Sequence, residues 1–296
     1  MLKDLFITKQ RKILKECVVI IGPAGVGKSY VSEELAKQTG MPLITMDLLR
    51  HCPASIKVIE QKKAELEEKI AELKGKISKK KSYQGTKMLK MLNDCNKELC
   101  IIDRQLEMRK MLPNLPNYEQ MGFNKETSER LLQEYSPVVW HYYQKQFETT
   151  LLKNFIKQID RPCIIDMGGG MPIALEEEYR GFDQHFKRNR KEWYEKNFDL
   201  SKCRFITIKN IFRHFGVVVN LEPPKEVDED SRFNKDPLNK WFLESGQYHE
   251  LATDNIDTTR LQEGGAVSDA KLKLIVSNIK EIINKNTDTD VIAKGM

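Results

Sequence analysis

The sequence predicts an α/β fold with three layers, helices on both faces of a parallel sheet, interrupted by an inserted antiparallel helical hairpin. Three observations predict it. A β-branched run at 17–21 (CVVII) passes through glycines into a helical stretch at 30–38. Short apolar runs near 42–46, 163–165, 217–221 and Ile256 alternate with helical segments, the pattern that forms parallel sheets. Between 54 and 113 the pattern changes to a 3-4 repeat of apolar positions too long for one helix of an ordinary core.

Taken in order, strand 17–21 and helix 30–38, ended by Gly40, form the first unit, and 42–46 is the next strand with Asp47 at its end. Ile56, Ile59, Leu66, Ile70, Leu73 and Ile77 form one apolar seam with Lys63 as its polar member. Met88, Leu92, Cys95, Leu99, Ile102 and Leu106 form the second. The lysine-rich stretch 79–87, with Gly85, reads as the turn between them, and Pro113 and Pro116 close the hairpin. One apolar face along Trp140, Tyr143, Phe147, Leu151 and Phe155 marks a helix over 136–158. Strand 163–165, a short helix 209–215, strand 217–221, a last strand near Ile256 and a helix 270–283 follow, with the tail after Asn284 expected to fray. The core is thus expected at 1–53 and 136–296, with a polar, proline-bearing lid near 223–246, and the hairpin insertion at 54–135.

The chain has 296 residues, 31% of them charged, and a net charge of +6. Its mean hydropathy is −0.54. No run of about 18 apolar residues and no leader-like N-terminus occur, so a cytoplasmic protein without a membrane partner is expected. The six cysteines lack a CxxC pair, which argues against a zinc site or a disulfide framework. Seven lysines and no acid lie between Lys74 and Lys90. That basic tip is either a solvated end of a strut or a contact for protein or nucleic acid.

Residues 22–29, GPAGVGKS, satisfy GxxxxGK[ST] between a strand and a helix. Glycines let backbone N–H groups turn inward as an anion nest, and the helix start adds its positive dipole end, so phosphate suits the loop. Gly22, Gly25, Val26, Gly27, Lys28, Ser29 and Tyr30 are therefore candidates for ATP binding. Lys28 would lie along the β and γ oxygens, and the Ser29 hydroxyl would hold Mg²⁺. Asp166, ending an apolar strand before Gly168, Gly169 and Gly170, is the second candidate metal-side ligand. Asp47, at the carboxyl end of the second strand, could orient or deprotonate an acceptor hydroxyl. Either aspartate could instead be a turn or cap residue.

This order of motifs, with Tyr248-His249-Glu250-Leu251-Ala252 leading to Ile256-Asp257-Thr258, resembles the shikimate kinase family. The resemblance covers about half the chain and implies a P-loop kinase core. It also implies that the triple glycine and Asp47 touch the acceptor and that a lid arginine covers the transferring phosphate. Arg232 stands before Asp236-Pro237-Leu238 roughly where that arginine belongs, with Lys235 as a rival. Three departures stand beside it. Thr45 occupies the place of the family's first acid, and Lys145 that of its acceptor-binding arginine. Glu244 and Gln247 stand where a second arginine is expected. Lysine cannot form the bidentate fork that arginine offers a carboxylate, so the acceptor is expected to differ from shikimate. The sequence thus predicts a small-molecule kinase acting on a hydroxyl acceptor. The alternative is an ATP-dependent switch or assembly ATPase whose helical arm contacts a partner or nucleic acid.

Overall fold

The computed structural model describes residues 2–53, 55–77, 84–134, 137–174, 202, 204–223, 242–258, 262–263 and 266–292. Its centre is a five-stranded, all-parallel sheet of order β2-β3-β1-β4-β5. The strands are β1 (Val18–Ile21), β2 (Leu43–Thr45), β3 (Ile164–Asp166), β4 (Val217–Glu222) and β5 (Asp254–Asp257). From β1 the chain moves to one edge, and from β3 it crosses to the other side of β1. The carboxyl ends of β1 and β3 therefore lie where the winding reverses, which is where doubly wound sheets open a crevice.

Side chains along β1 alternate between two cores, as a strand's period of two requires. Val18 and Ile20 pack with Val31 and Leu35 of α2 (Lys28–Thr39) and with Ile275, Val276 and Ile279 of α10 (Asp269–Ile292). Val19 and Ile21 pack instead with Ile13 and Leu14 of α1 (Leu2–Glu16), Leu151 and Phe155 of α7 (Pro137–Gln158) and Ile208 of α8 (Phe205–Phe212). Both faces are covered, so the middle strands read as unbroken apolar runs. The helix α2 ends at Gly40, whose φ of 69° allows its N–H to reach Ala36 O at 2.9 Å.

The inserted helices are α4 (Ile56–Ile77) and α5 (Gln84–Met111), which follow the short α3 (Met46–Arg50). Ile59, Leu66, Ile70 and Leu73 pack against Cys95 and Ile102 in a third core. Lys63 meets Asp103 at 2.7 Å and Cys52 Sγ lies 3.7 Å from Gln105 O, so the start of α4 faces the end of α5, and the pair is antiparallel. The base is tied by the buried Arg109, which donates to Cys52 O at 3.2 Å and to the carbonyls of Leu112 and Leu115. Helix α6 (Lys125–Glu134) then leads to α7.

Several boundaries differ from the sequence reading. Gly85 lies within the first turn of α5 rather than in the loop, because α5 begins at Gln84. The final helix runs on to Ile292 instead of ending near Ile283. Two helices carried no clear signal: α1, tied to α7 by Gln10 Nε2 donating to the carbonyls of Ile156 and Ile159, and α6. Among the described residues no helix is long and apolar enough to cross a membrane.

Candidate functional site

Gly22 leaves the end of β1 with φ 138°, and a side chain there would meet Leu221 O of β4 at 2.5 Å. Only glycine lets these backbones approach so closely. Gly25 and Gly27 also have positive φ, and Gly27 precedes α2 with no side-chain cap on the helix's first N–H groups. Glycines of positive φ before a helix start without a side-chain cap are the arrangement that suits an anion. Val26 is buried beneath it, whereas Tyr30, on the first turn of α2, is exposed.

Lys28 is buried and donates to Gly22 O and Pro23 O, each at 2.8 Å, so its ammonium lies inside the curl of its own loop. Burial lowers its pKa, and the charges of Asp166 and Asp47 oppose that shift. Ser29 Oγ donates to Asp166 Oδ2 at 2.9 Å. Asp166 is in turn pushed up to about 6 by burial, with Lys28 and the Ser29 hydrogen bond opposing. A hydroxyl and a buried carboxylate in contact, one on the loop and one at the end of β3, fit a hard cation that completes its shell with phosphate and water. Among the described residues no group of three or more His, Cys, Asp or Glu converges as a metal cage, here or elsewhere.

The raised pKa carries a stability cost at neutral pH. Relative to an ordinary aspartate at 3.8, the folded state holds its proton more tightly, so stability is greatest below about pH 4 and falls as pH rises through about 6. A shift of about two units corresponds to about 3 kcal/mol. Asp166→Asn should therefore raise the ligand-free melting temperature at pH 7, and the difference should vanish near pH 4. Equal melting curves at pH 7 would remove this account of Asp166.

The triple glycine follows β3 and lies against the glycine-rich loop after β1: a side chain at Gly169 would come within 2.9 Å of the Ala24 backbone nitrogen. At Gly168 it would strike the Asp47 carboxylate and the Arg50 guanidinium, and at Gly170 the ring of Phe242. Tyr248, on α9 (Gln247–Leu251), donates its hydroxyl to Gly169 O. Asp47 sits on the first turn of α3, its side chain 56% exposed, and pairs with Arg50. Arg50 also approaches Glu148 Oε1 at 3.4 Å.

Lys145, expected beside the acceptor, is completely buried. Its ammonium meets Glu148 Oε2 at 2.6 Å and donates to Gly170 O at 2.7 Å and Met171 O at 2.8 Å. Its charge thus holds the glycine turn in place. Burial would raise Glu148, but Lys145, Arg50 and His141 bring it down to about 2. Burial and the Lys145 charge lower His141 to about 3, so its imidazole is neutral at pH 7. Gln247 is likewise committed: its amide exchanges hydrogen bonds with the backbone of Ala174 at 2.8 and 2.7 Å.

Gly22, Gly25, Val26, Gly27, Lys28, Ser29, Asp47, Asp166 and the triple glycine are thus brought together at one end of the sheet. Arg232, Lys235 and most of the predicted lid lie outside the described residues, as do residues 78–83 of the basic tip. Sequence reasoning missed Arg50 and Glu148. The available signal was opposite charge at i,i+3, Asp47 to Arg50 and Lys145 to Glu148.

Comparison with protein-family models returns no match, and no curated protein matches the sequence.

Proposed function

We propose that this chain is an ATP- and Mg²⁺-dependent kinase that transfers the γ-phosphate to a hydroxyl of a small molecule, built like the shikimate kinases but with an altered acceptor site. The observation that carries the reading is the contact of Ser29 with Asp166 beside a buried Lys28, at the point where the sheet's winding reverses. In this reading the loop N–H groups and Lys28 bind the phosphates, and Ser29 and Asp166 hold the metal side. Bound Mg²⁺ supplies charge neutralisation on the phosphate oxygens. Asp47, exposed enough to meet a ligand and oriented by Arg50, accepts the proton of the acceptor hydroxyl. A lid cation, Arg232 or Lys235, covers the transferring phosphate. A cytoplasmic setting suits this chemistry.

Two features support an acceptor other than shikimate. Lys145 is committed to Glu148 and the glycine turn, so its ammonium is not presented to a ligand carboxylate. A cleft of about 720 Å³ also opens where α6 meets the end of α3, lined by His51, Phe123, Glu126, Glu129 and Gln144.

A second reading, the ATP-driven switch, draws on one contact. Arg104 of α5 pairs with Glu33 of α2 at 2.7 Å, which links the helical arm to the helix that starts at the phosphate loop. Its basic tip would then meet a protein or nucleic acid.

The test of nucleotide binding is a titration with a fluorescent ATP analogue. Lys28→Ala should weaken binding at least tenfold while leaving the circular dichroism spectrum unchanged, because a charge-assisted phosphate contact contributes about 1.5–3 kcal/mol. Equal affinity in the variant would remove the phosphate-loop reading.

A further inference from the structure

The phosphate loop has carboxylates on both sides. On the β3 side stands Asp166, already assigned to the metal. On the β4 side Ile21 is paired with Asn220, and Glu222 follows at the strand's carboxyl end. A cavity of about 190 Å³ opens there, lined by Pro23 of the loop, Asn220, Glu222, Leu243, Tyr248 and His249.

Its polar groups are unevenly satisfied. Asn220 is 2% exposed, and its Nδ2 donates to Asn255 Oδ1 at 2.9 Å, but its Oδ1 is buried with no hydrogen-bond partner. An orphaned carbonyl oxygen costs about 1–3 kcal/mol unless something donates to it. Glu222 lies 3.5 Å from His249 Nδ1 and is partly exposed to the same space. The cavity is large enough for several waters, and Asn220, Glu222 and His249 supply the two to four partners that an ordered water needs.

We infer that this cavity holds the nucleophilic water of an acceptor-independent hydrolysis of ATP, with Glu222 as its general base and His249 as the residue that positions Glu222. The inference rests on the nucleotide reading above. Water oxygen bonds to the γ-phosphorus as the bond from phosphorus to the β–γ bridging oxygen breaks. The electron pair of that bond leaves on ADP, and the water proton passes to the Glu222 carboxylate. The products are ADP, inorganic phosphate and a proton. Asn220 Oδ1 accepts the water's other hydrogen and so aims a lone pair at the loop.

The experiment follows phosphate release from Mg-ATP without any acceptor, in H₂¹⁸O, alongside binding of a fluorescent ATP analogue. The wild type should release phosphate carrying one solvent oxygen. Glu222→Gln should lower the rate about a hundredfold, the low end for losing a general base, with analogue affinity unchanged. Asn220→Leu, which removes the Oδ1 acceptor, should do the same, whereas the surface variant Arg161→Gln should match the wild type. If Glu222→Gln loses analogue binding, His249→Ala carries the test, with at least a tenfold fall expected. A wild type that binds the analogue but releases no phosphate overturns the inference, as does release unaffected by these substitutions. Absence of analogue binding in the wild type instead overturns the nucleotide reading and this inference with it.

Discussion

On the proposed kinase reading, Asp47→Asn should lower phosphorylation of the acceptor by about two to four powers of ten, the usual range for losing a general base, while ATP affinity stays within about twofold. Asparagine keeps the size of the side chain and can still accept from Arg50, so the local fold should persist. The acceptor is found by following ATP consumption over a panel of hydroxyl-bearing metabolites, with shikimate included. The variant is then compared with wild type under saturating Mg-ATP. A variant that turns over normally, or one altered only in ATP affinity, removes Asp47 from the acceptor site. Position supports the effect: Asp47 is the exposed end of a chain of charges that continues through Arg50 and Glu148 to Lys145.

The buried end of that chain should dominate stability. Lys145→Met leaves Glu148, 2% exposed, with Arg50 at 3.4 Å as its remaining ion-pair partner among the described residues, and removes the ammonium that donates to the carbonyls of Gly170 and Met171. Breaking a buried pair from one side costs about 3–5 kcal/mol. Urea denaturation should show a loss of that size, and Lys145→Met combined with Glu148→Met should recover part of it, since the second substitution removes the unpaired charge. A loss below about 1 kcal/mol would mean that water reaches the pair. The same pair gives a pH signature. Glu148 is held at about 2 against an ordinary 4.5, so its contribution is complete above about pH 4.5 and is lost as pH falls toward 2.

What could be read in the chain beforehand follows periodicity and backbone constraint. The run at 18–21 and the glycines after it specify strand, loop and helix, because few residues other than glycine tolerate the positive φ and the contact of Gly22 with β4. The apolar seams of α4 and α5 were legible because a 3-4 repeat over that length has one way to be buried, against a partner helix. Helix α6 was not, because its surroundings are polar and its packing is supplied by α7. Among them Trp140 Nε1 donates to Ser128 Oγ at 3.0 Å.

By itself the sequence determined the α/β class, the glycine-rich turn between β1 and α2, the helical hairpin and the local identity of Asp47, Asp166 and the triple glycine. All of these are encoded within a few tens of residues by hydrophobic period or by glycine's freedom. Tertiary structure alone decided the strand order, and with it that Asp166 stands on one side of the loop and Glu222 on the other. It also decided that Lys145 supports the glycine turn from within the core and that Arg50 joins Asp47 to Glu148. These pairings span up to 199 residues of chain, as between Val18 and Val217 (217 − 18). A charged side chain carries no local mark of its partner, since the partner is chosen by which segments the buried sheet and helices bring together.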